Sequence, residues 1–249
     1  MRFFLVDAFT PSAFAGNTAA VVLLDTPADP AWIQSVAAEF KHSETAFVVT
    51  GGEDPLPLRW FTPAAEVDLC GHATLATAHV LGGDQVFSTR SGELRCQAAD
   101  GWVSMDFPAD VPAESEDDLG IDGTVFVGRG VSDILVVLRD AALVRGFEPD
   151  LPALAKLDAR CVIVTAPGDV DGIDFVSRVF GPAVGVDEDP VTGSAHCTLA
   201  PYWAARLGRG KLTGEQASER GGIVRMNLEG DRVRLAGQAV TVASGELHV

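Results

Sequence analysis

An α+β protein made of two similar halves is what this sequence predicts, on three observations. The first is a repeat. Sliding RWFTPAAEVDLCGHATLA, which begins at Arg59, by 119 positions lays it on RVFGPAVGVDED, which begins at Arg178. Arg59/Arg178, Phe61/Phe180, Pro63/Pro182, Ala64/Ala183, Val67/Val186 and Asp68/Asp187 are identical, six of the ten positions from 59 to 68. A copy separation near half the chain length implies a duplicated half, not a solenoid of short repeats. The second observation is that each copy runs into a small-residue helix start, Gly71-His72-Ala73 and Gly193-Ser194-Ala195, within otherwise strand-rich sequence. One apolar helix per strand-rich half suggests a curved sheet wrapped around that helix. The third is the segment 108–122, PADVPAESEDDLGID, rich in Pro, Asp, Glu and Ser. That is linker composition, so the halves are expected at 1–114 and 115–249.

The elements follow in chain order. Residues 2–9, RFFLVDAF, are β-branched and aromatic enough for a strand, and AAVVLL at 19–24 is a second, buried one. Ala15-Gly16-Asn17 supplies turn chemistry between them. Asp29 before Pro30 is an N-cap followed by a first-turn proline. Ile33, Val36, Ala37 and Phe40 share one face, so 30–40 is an amphipathic helix. Strands are expected at 45–50 and 56–61, a helix at 71–82, and a hairpin pairing 93–96 with 102–107. In the second half, strands at 124–128 and 133–138 precede a helix at 150–157 with Asp150 as cap. Strands at 161–165 and 174–180, a helix at 193–207, and short strands near 222–227, 232–236 and 239–243 complete the chain.

Composition limits the function. A 249-residue chain holds one large domain or two of about 120 residues, each able to bury a core. A net charge of −17 argues against a nucleic-acid binder or a binder of anionic membranes, both of which need basic patches. It leaves room for an anionic substrate held by a few local donors. The N-terminal MRFFLVDAFT lacks the features of a signal peptide, and no apolar run approaches the roughly 18 residues of a membrane span. Cys70, Cys96, Cys161 and Cys197 show no C-x-x-C spacing, which speaks against a zinc site or a disulfide framework. A reduced, soluble, cytoplasmic protein is the expectation.

The two helix starts are the first candidates for chemistry. Gly71 and Gly193 permit sharp turns, and the first N–H groups of a helix lack internal partners. Two such starts acting together make a cradle for a carboxylate, helped by the helix dipoles. The competing reading is that each glycine only admits the chain to a buried helix. His72 occupies the place of Ser194 in the other copy, which favours a polar site. Asp189 precedes Pro190 and is biased towards an extended conformation, though Asp187, Glu188 and Asp189 also fit a solvated face. In the gapless register Cys70 is the counterpart of Asp189. Glu44, following Ser43 after the first helix, reads on its own as an exposed loop carboxylate. His79, His196 and Cys197 lie inside helices and read as core.

The chain resembles the PhzF-like family of phenazine biosynthesis, whose fold is that of diaminopimelate epimerase. VDAFTPSAFAGNTAAVVL at 6–23, SETAFV at 43–48, DLCGHATLATA at 68–78, DEDPVTGSAHCTLA at 187–200 and QASERGG at 216–222 carry the likeness in order. The resemblance implies two pseudo-symmetric halves, each an open β-barrel around a central helix, with the active site in the cleft between them. It implies that the last strand returns to the first half and that the protein is a homodimer. Carried over by position, Glu44 is the acid/base, Asp189 and His72 are catalytic, and Asn17, Gly71, Gly193 and Ser194 bind substrate. Lys41 stands where the family often has Asn, and the chain is short for the family, so loops near the site are expected to differ.

The function expected is a cofactor-independent isomerase that moves a proton on a small carboxylate-bearing metabolite, with no metal. Two alternatives stand beside it. One is an amino-acid racemase or epimerase in which Cys70 is a second acid/base, disfavoured because Thr192-Gly193-Ser194 offers no second thiol. The other is a non-catalytic carboxylate-binding protein, which would gain nothing from Glu44 together with Asp189.

Overall fold

The chain begins with a hairpin of two strands, β1 (Arg2–Ala8) and β2 (Asn17–Leu24), paired antiparallel from Phe3↔Val22 to Ala8↔Asn17. The turn between them closes on Gly16 at φ +64°, where a Cβ would lie 2.1 Å from the Ala8 carbonyl oxygen. Only glycine fits there, on both backbone and steric grounds. The computed structural model describes residues 1–249 and divides them into two units, 1–106 with 236–249, and 107–235. The architecture is α+β.

In the first unit the buried run Ala19–Leu24 has its apolar character because β2 lies between two neighbours, β1 and β3 (Thr45–Val49). The β2–β3 pair is parallel and needs a crossover. Helix α1 (Pro30–Phe40) supplies it, with the Asp29 carboxylate accepting from Ala31 N at 2.7 Å. Ile33, Val36 and Ala37 pack with Val22, Leu24, Phe47 and Phe61. Lys41 then adopts the left-handed conformation, φ 56°, and turns the chain towards β3. β4 (Leu56–Phe61) runs antiparallel to β3 and pairs with the two-residue β5 (Glu66–Val67). Helix α2 (Gly71–Leu81) follows, buried without a break from His72 to Ala78. β6 (Gly83–Thr89) lies parallel to β4, and β7 (Gly92–Ala99) and β8 (Trp102–Pro108) continue as antiparallel neighbours.

The second unit comprises β9 (Ala113–Glu114), β10 (Thr124–Arg129), β11 (Asp133–Leu138), α3 (Ala141–Arg145), α4 (Leu151–Leu154), β12 (Cys161–Pro167), β13 (Phe175–Gly181), β14 (Val186–Asp189), α5 (Gly193–Leu207), β15 (Lys211–Gln216) and β16 (Gly222–Glu229). It repeats the order of pairings of the first unit. β10 and β11 are antiparallel, β11 and β12 parallel, β12 and β13 antiparallel, β13 and β14 antiparallel, β13 and β15 parallel, and β15 and β16 antiparallel. Helix α5 is buried from Ala195 to Ala204. Phe175 stacks on Trp203 with ring centres 5.7 Å apart, and Trp203 Nε1 donates to Thr165 Oγ1 at 3.2 Å. No helix is long and apolar enough to cross a membrane.

The last strand, β17 (Arg232–Glu246), starts in the second unit and ends in the first, where it pairs antiparallel with β1 from Ala8↔Ala239 to Arg2↔Glu246. The sequence suggests two short strands here, divided near Gly237. That glycine makes no turn; a Cβ on it would stand 2.5 Å from the Phe9 ring and 2.8 Å from Leu75. Three further differences are plain. The helix expected at 150–157 is only the single turn α4, preceded by the unforeseen α3. The polar strands β6 and β15, with little β-branched content, escape the sequence pattern. The acidic segment 108–122 includes β9, paired to β10.

The repeat is real in side-chain terms, but its register changes within the turn. Arg59 donates to Glu66 through Nε at 2.7 Å and Nη2 at 2.8 Å, with its guanidinium 5.0 Å from the Phe61 ring centre. Arg178 does the same with Glu188, at 2.7 and 2.8 Å, and with Phe180, at 5.0 Å. Arginine and phenylalanine repeat at 119 positions, whereas Glu66 and Glu188, and Gly71 and Gly193, are 122 apart. The turn Pro182–Val184 and a bulge in the β13–β14 pair absorb the three extra residues. Trp60 pairs with Val67, and Val179 with Asp189. The counterpart of Asp189 is therefore Val67, and that of Cys70 is Thr192, which corrects the gapless alignment of Cys70 with Asp189.

Candidate functional site

Two polar clusters form at the two helix starts, one in each unit. In the first unit, the left-handed Lys41 ends α1 and delivers Ser43 and Glu44 to the head of β3, while α2 begins with Cys70 as its N-cap residue and His72 in its first turn. His72 is buried, and its ring lies among three partners. Nε2 is 3.5 Å from Glu44 Oε2 and 3.4 Å from Ser43 Oγ, and Nδ1 is 3.5 Å from Cys70 Sγ. The ligand-type atoms of Glu44, Cys70 and His72 all lie within 4.8 Å of one another. Burial raises the Glu44 carboxyl above its ordinary pKa, opposed by hydrogen bonds from Ser43 and Cys70. Burial disfavours the charged form of any acid, so this carboxyl is tuned in the direction that general base work near neutrality requires.

In the second unit, Asp189 ends β14 and its Oδ2 accepts from Thr192 Oγ1 at 2.5 Å. Thr192 is the N-cap residue of α5, but with its hydroxyl turned to Asp189 it does not cap the helix; nor does Cys70 cap α2 through its side chain. Gln216, fully buried, ties this corner together. It accepts from Thr192 N at 2.9 Å and donates to the Asp189 carbonyl at 2.7 Å. Ser218 Oγ donates to the Pro190 carbonyl at 2.8 Å. Ser194, in the first turn of α5, accepts from Arg160 Nη2 at 2.9 Å. Arg160 is itself gripped by Asp133, through Nε at 2.9 Å and Nη2 at 2.5 Å.

The fold thus brings Glu44, His72 and Cys70 together in the first unit, and Asp189, Gly193 and Ser194 to one helix start in the second. Gly71 and Gly193 are the first residues of α2 and α5. Asn17, buried, opens β2 next to Asp7, whose carboxylate accepts from Phe14 N at 2.7 Å and Thr18 Oγ1 at 2.5 Å. His196 is a core residue: Nδ1 donates to the Thr192 carbonyl at 2.8 Å and burial pulls its pKa down to about 4. Burial likewise pushes Cys197 up to about 12. Sequence reasoning missed Arg160, Asp133 and Gln216. Gln216 had a signal, since it opens the QASERGG segment that carries part of the family likeness. Arg160 and Asp133 had none, being ordinary charged residues joined only by the parallel β11–β12 pair.

The sequence matches the PhzC-PhzF family, phenazine biosynthesis-like protein, over residues 6–245, and the chain belongs to that family. A Pseudomonas aeruginosa protein named as an uncharacterized isomerase is 48% identical, covering 100% of this chain and 99% of that one. A second so named, from Halalkalibacterium halodurans, is 45% identical over 98% and 97%. The crystal structure of a PhzF family protein of Enterococcus faecalis has 39% identity and a TM-score of 0.94, covering 100% and 99% of the two chains. A hydroxyproline epimerase from Agrobacterium vitis, 11% identical with a TM-score of 0.65 over 98% and 91%, shares the fold.

Proposed function

We propose that this protein is an isomerase that moves a proton on a small carboxylate-bearing metabolite without a cofactor, with Glu44 as acid/base. The single observation that carries the reading is the Glu44 carboxyl, raised in pKa by burial and lying 3.5 Å from the His72 ring. A carboxylate of raised proton affinity takes a proton from a carbon beside a carbonyl or carboxylate and returns it to another carbon or face. Net, one C–H bond breaks and one forms, and no electron acceptor is consumed. His72 orients the base and shares its proton.

The start of α5 is assigned the role of holding substrate charge. Its first N–H groups are uncapped by Thr192, and the helix dipole favours an anion there. Ser194 Oγ accepts from Arg160, which leaves its own O–H to donate to a carboxylate or developing enolate. Asp189, steadied by Thr192, orients the substrate, and Gly71, Gly193 and Asn17 serve binding. On this reading the two units are pseudo-symmetric open barrels around α2 and α5, and the protein is a cytoplasmic homodimer. The names of the similar isomerases and the fold shared with an epimerase support the class of reaction.

A second reading has one observation in its favour: Cys70 Sγ lies beside His72 Nδ1, so a thiol is available as the opposing acid of a racemase. One experiment tests the proposal and finds the substrate. A metabolite extract incubated with the protein in D2O is screened by mass spectrometry for acids that gain one deuterium. A labelled carboxylate with the wild type and none with Glu44→Gln supports the proposal. Labelling lost only in Cys70→Ser turns the assignment to the racemase, and no labelling by the wild type contradicts both.

A further inference from the structure

We propose that Glu44, Cys70 and His72 form a binding site for a single soft divalent cation of the zinc type, whose occupancy masks the acid/base. The observation is spatial and invisible in sequence spacing, since Glu44 and Cys70 are 26 positions apart and no Cys or His pair stands at zinc-site spacing. The three side chains offer one carboxylate oxygen, one sulfur and one imidazole nitrogen, all within 4.8 Å. Those donors are the set zinc takes, and three protein ligands plus one water is the arrangement of an accessible zinc ion.

The thiol–imidazole distance fits the size of the ion. Zinc binds sulfur at about 2.3 Å and nitrogen or oxygen at about 2.0–2.2 Å, so neighbouring ligand atoms in a tetrahedron stand roughly 3.4–3.6 Å apart. Cys70 Sγ to His72 Nδ1, 3.5 Å, is one such edge, while Glu44 Oε2 lies 3.5 Å from the other ring nitrogen, Nε2, and within the 4.8 Å cluster. One ion takes one ring nitrogen. With Nδ1 and Sγ as the first edge, the Glu44 carboxylate, within 4.8 Å of the other donors, has to turn from Nε2 towards the ion to become the third ligand. Nε2 then keeps Ser43 Oγ, 3.4 Å away, as the outer hydrogen-bond partner that metal-bound histidines need. Binding replaces the thiol proton, which leaves to buffer as the S–Zn bond forms, and no redox change occurs. Hard cations such as Mg²⁺ want six oxygens in an octahedron and do not suit a sulfur–nitrogen–oxygen set.

The ligand geometry stands whatever the reaction proves to be; only the masking of turnover rests on the isomerase reading. The test therefore reads binding, not activity. Co²⁺ and Zn²⁺ are titrated into the intact wild-type chain and into Cys70→Ser, His72→Gln and Cys197→Ser, with circular dichroism checking that each is folded. The expected result is one Co²⁺ per chain with a thiolate-to-cobalt absorption band, displaced by Zn²⁺ and not by Mg²⁺. That band is expected to be absent in Cys70→Ser and unchanged in Cys197→Ser. Zinc affinity is expected to fall at least about 100-fold in Cys70→Ser and His72→Gln, because losing even an outer-shell partner costs 10–100-fold. Glu44→Gln, which keeps the fold of the site, is expected to weaken zinc while preserving the thiolate band. Unchanged zinc affinity in Cys70→Ser, or a wild type that binds no Co²⁺, overturns the proposal.

Discussion

Replacing Arg160 with methionine tests the least anticipated part of the second cluster. The Asp133 side chain is 3% exposed and receives two hydrogen bonds from Arg160, at 2.9 and 2.5 Å. Arg160→Met leaves that carboxylate buried without its countercharge. Breaking a buried pair from one side costs about 3–5 kcal/mol. The Arg160 side chain is 40% exposed, so water reaches part of the vacated space and the lower end, about 3 kcal/mol, applies. For a chain of this length that corresponds to a fall in Tm of roughly 6–12 °C. Asp133→Asn in the same chain removes the stranded charge, so the double variant is expected to recover about 2 kcal/mol of the loss. Urea unfolding followed by tryptophan fluorescence and circular dichroism, with coincident transitions required, measures both. A single-variant loss below about 1 kcal/mol, or strictly additive effects, refutes the claim that Asp133 holds Arg160 by a desolvated ion pair.

Two pH effects follow from the buried groups. Glu44 has a folded pKa above its ordinary value, so the stability it contributes is full at low pH and is lost as pH rises through the folded value. Glu44→Gln escapes that loss, and its stability advantage over wild type in urea unfolding is expected to be larger at pH 8 than at pH 5; an equal or reversed difference contradicts the burial of this carboxyl. His196 has a folded pKa of about 4 against an ordinary 6.5, so its contribution is present above pH 6.5 and is lost as pH falls towards 4. The loss amounts to about 3 kcal/mol. His196→Phe is expected to show a flatter profile over that interval, and parallel wild-type and variant profiles would refute the assignment.

The parts of the fold legible in sequence were those with a strong local signal. Helix α1 declares itself through the Asp29 cap, Pro30 and the 33–36–37 face, and those residues do what their pattern says. The starts of α2 and α5 are marked by Gly71 and Gly193 at the expected positions. The repeat was visible through Arg59/Arg178 and Phe61/Phe180, whose shared stacking and ion pairs explain why those identities persist. Its pairing of Cys70 with Asp189 failed because register is a property of the turn, and the three residues inserted after Phe180 contain proline, alanine and glycine that align plausibly either way. β15 was illegible because KLTGEQ holds one large apolar residue; it is a strand through pairing with β13 and β16. The approach of Glu44 to the Cys70–His72 pair lay beyond any local pattern, as it depends on β3 and α2 lying side by side.

The most direct test of Glu44 as the acid/base compares carbon-bound proton exchange with binding in the same variants. Once an exchanging acid is in hand, its loss of the reactive C–H signal in D2O is followed by proton NMR with wild type, Glu44→Gln and Cys70→Ser, alongside its affinity by calorimetry. Glu44→Gln is expected to retain binding while exchange falls by the roughly 10²–10⁴-fold that general base catalysis contributes, with Cys70→Ser far less affected. Exchange that persists in Glu44→Gln and disappears in Cys70→Ser would contradict the assignment.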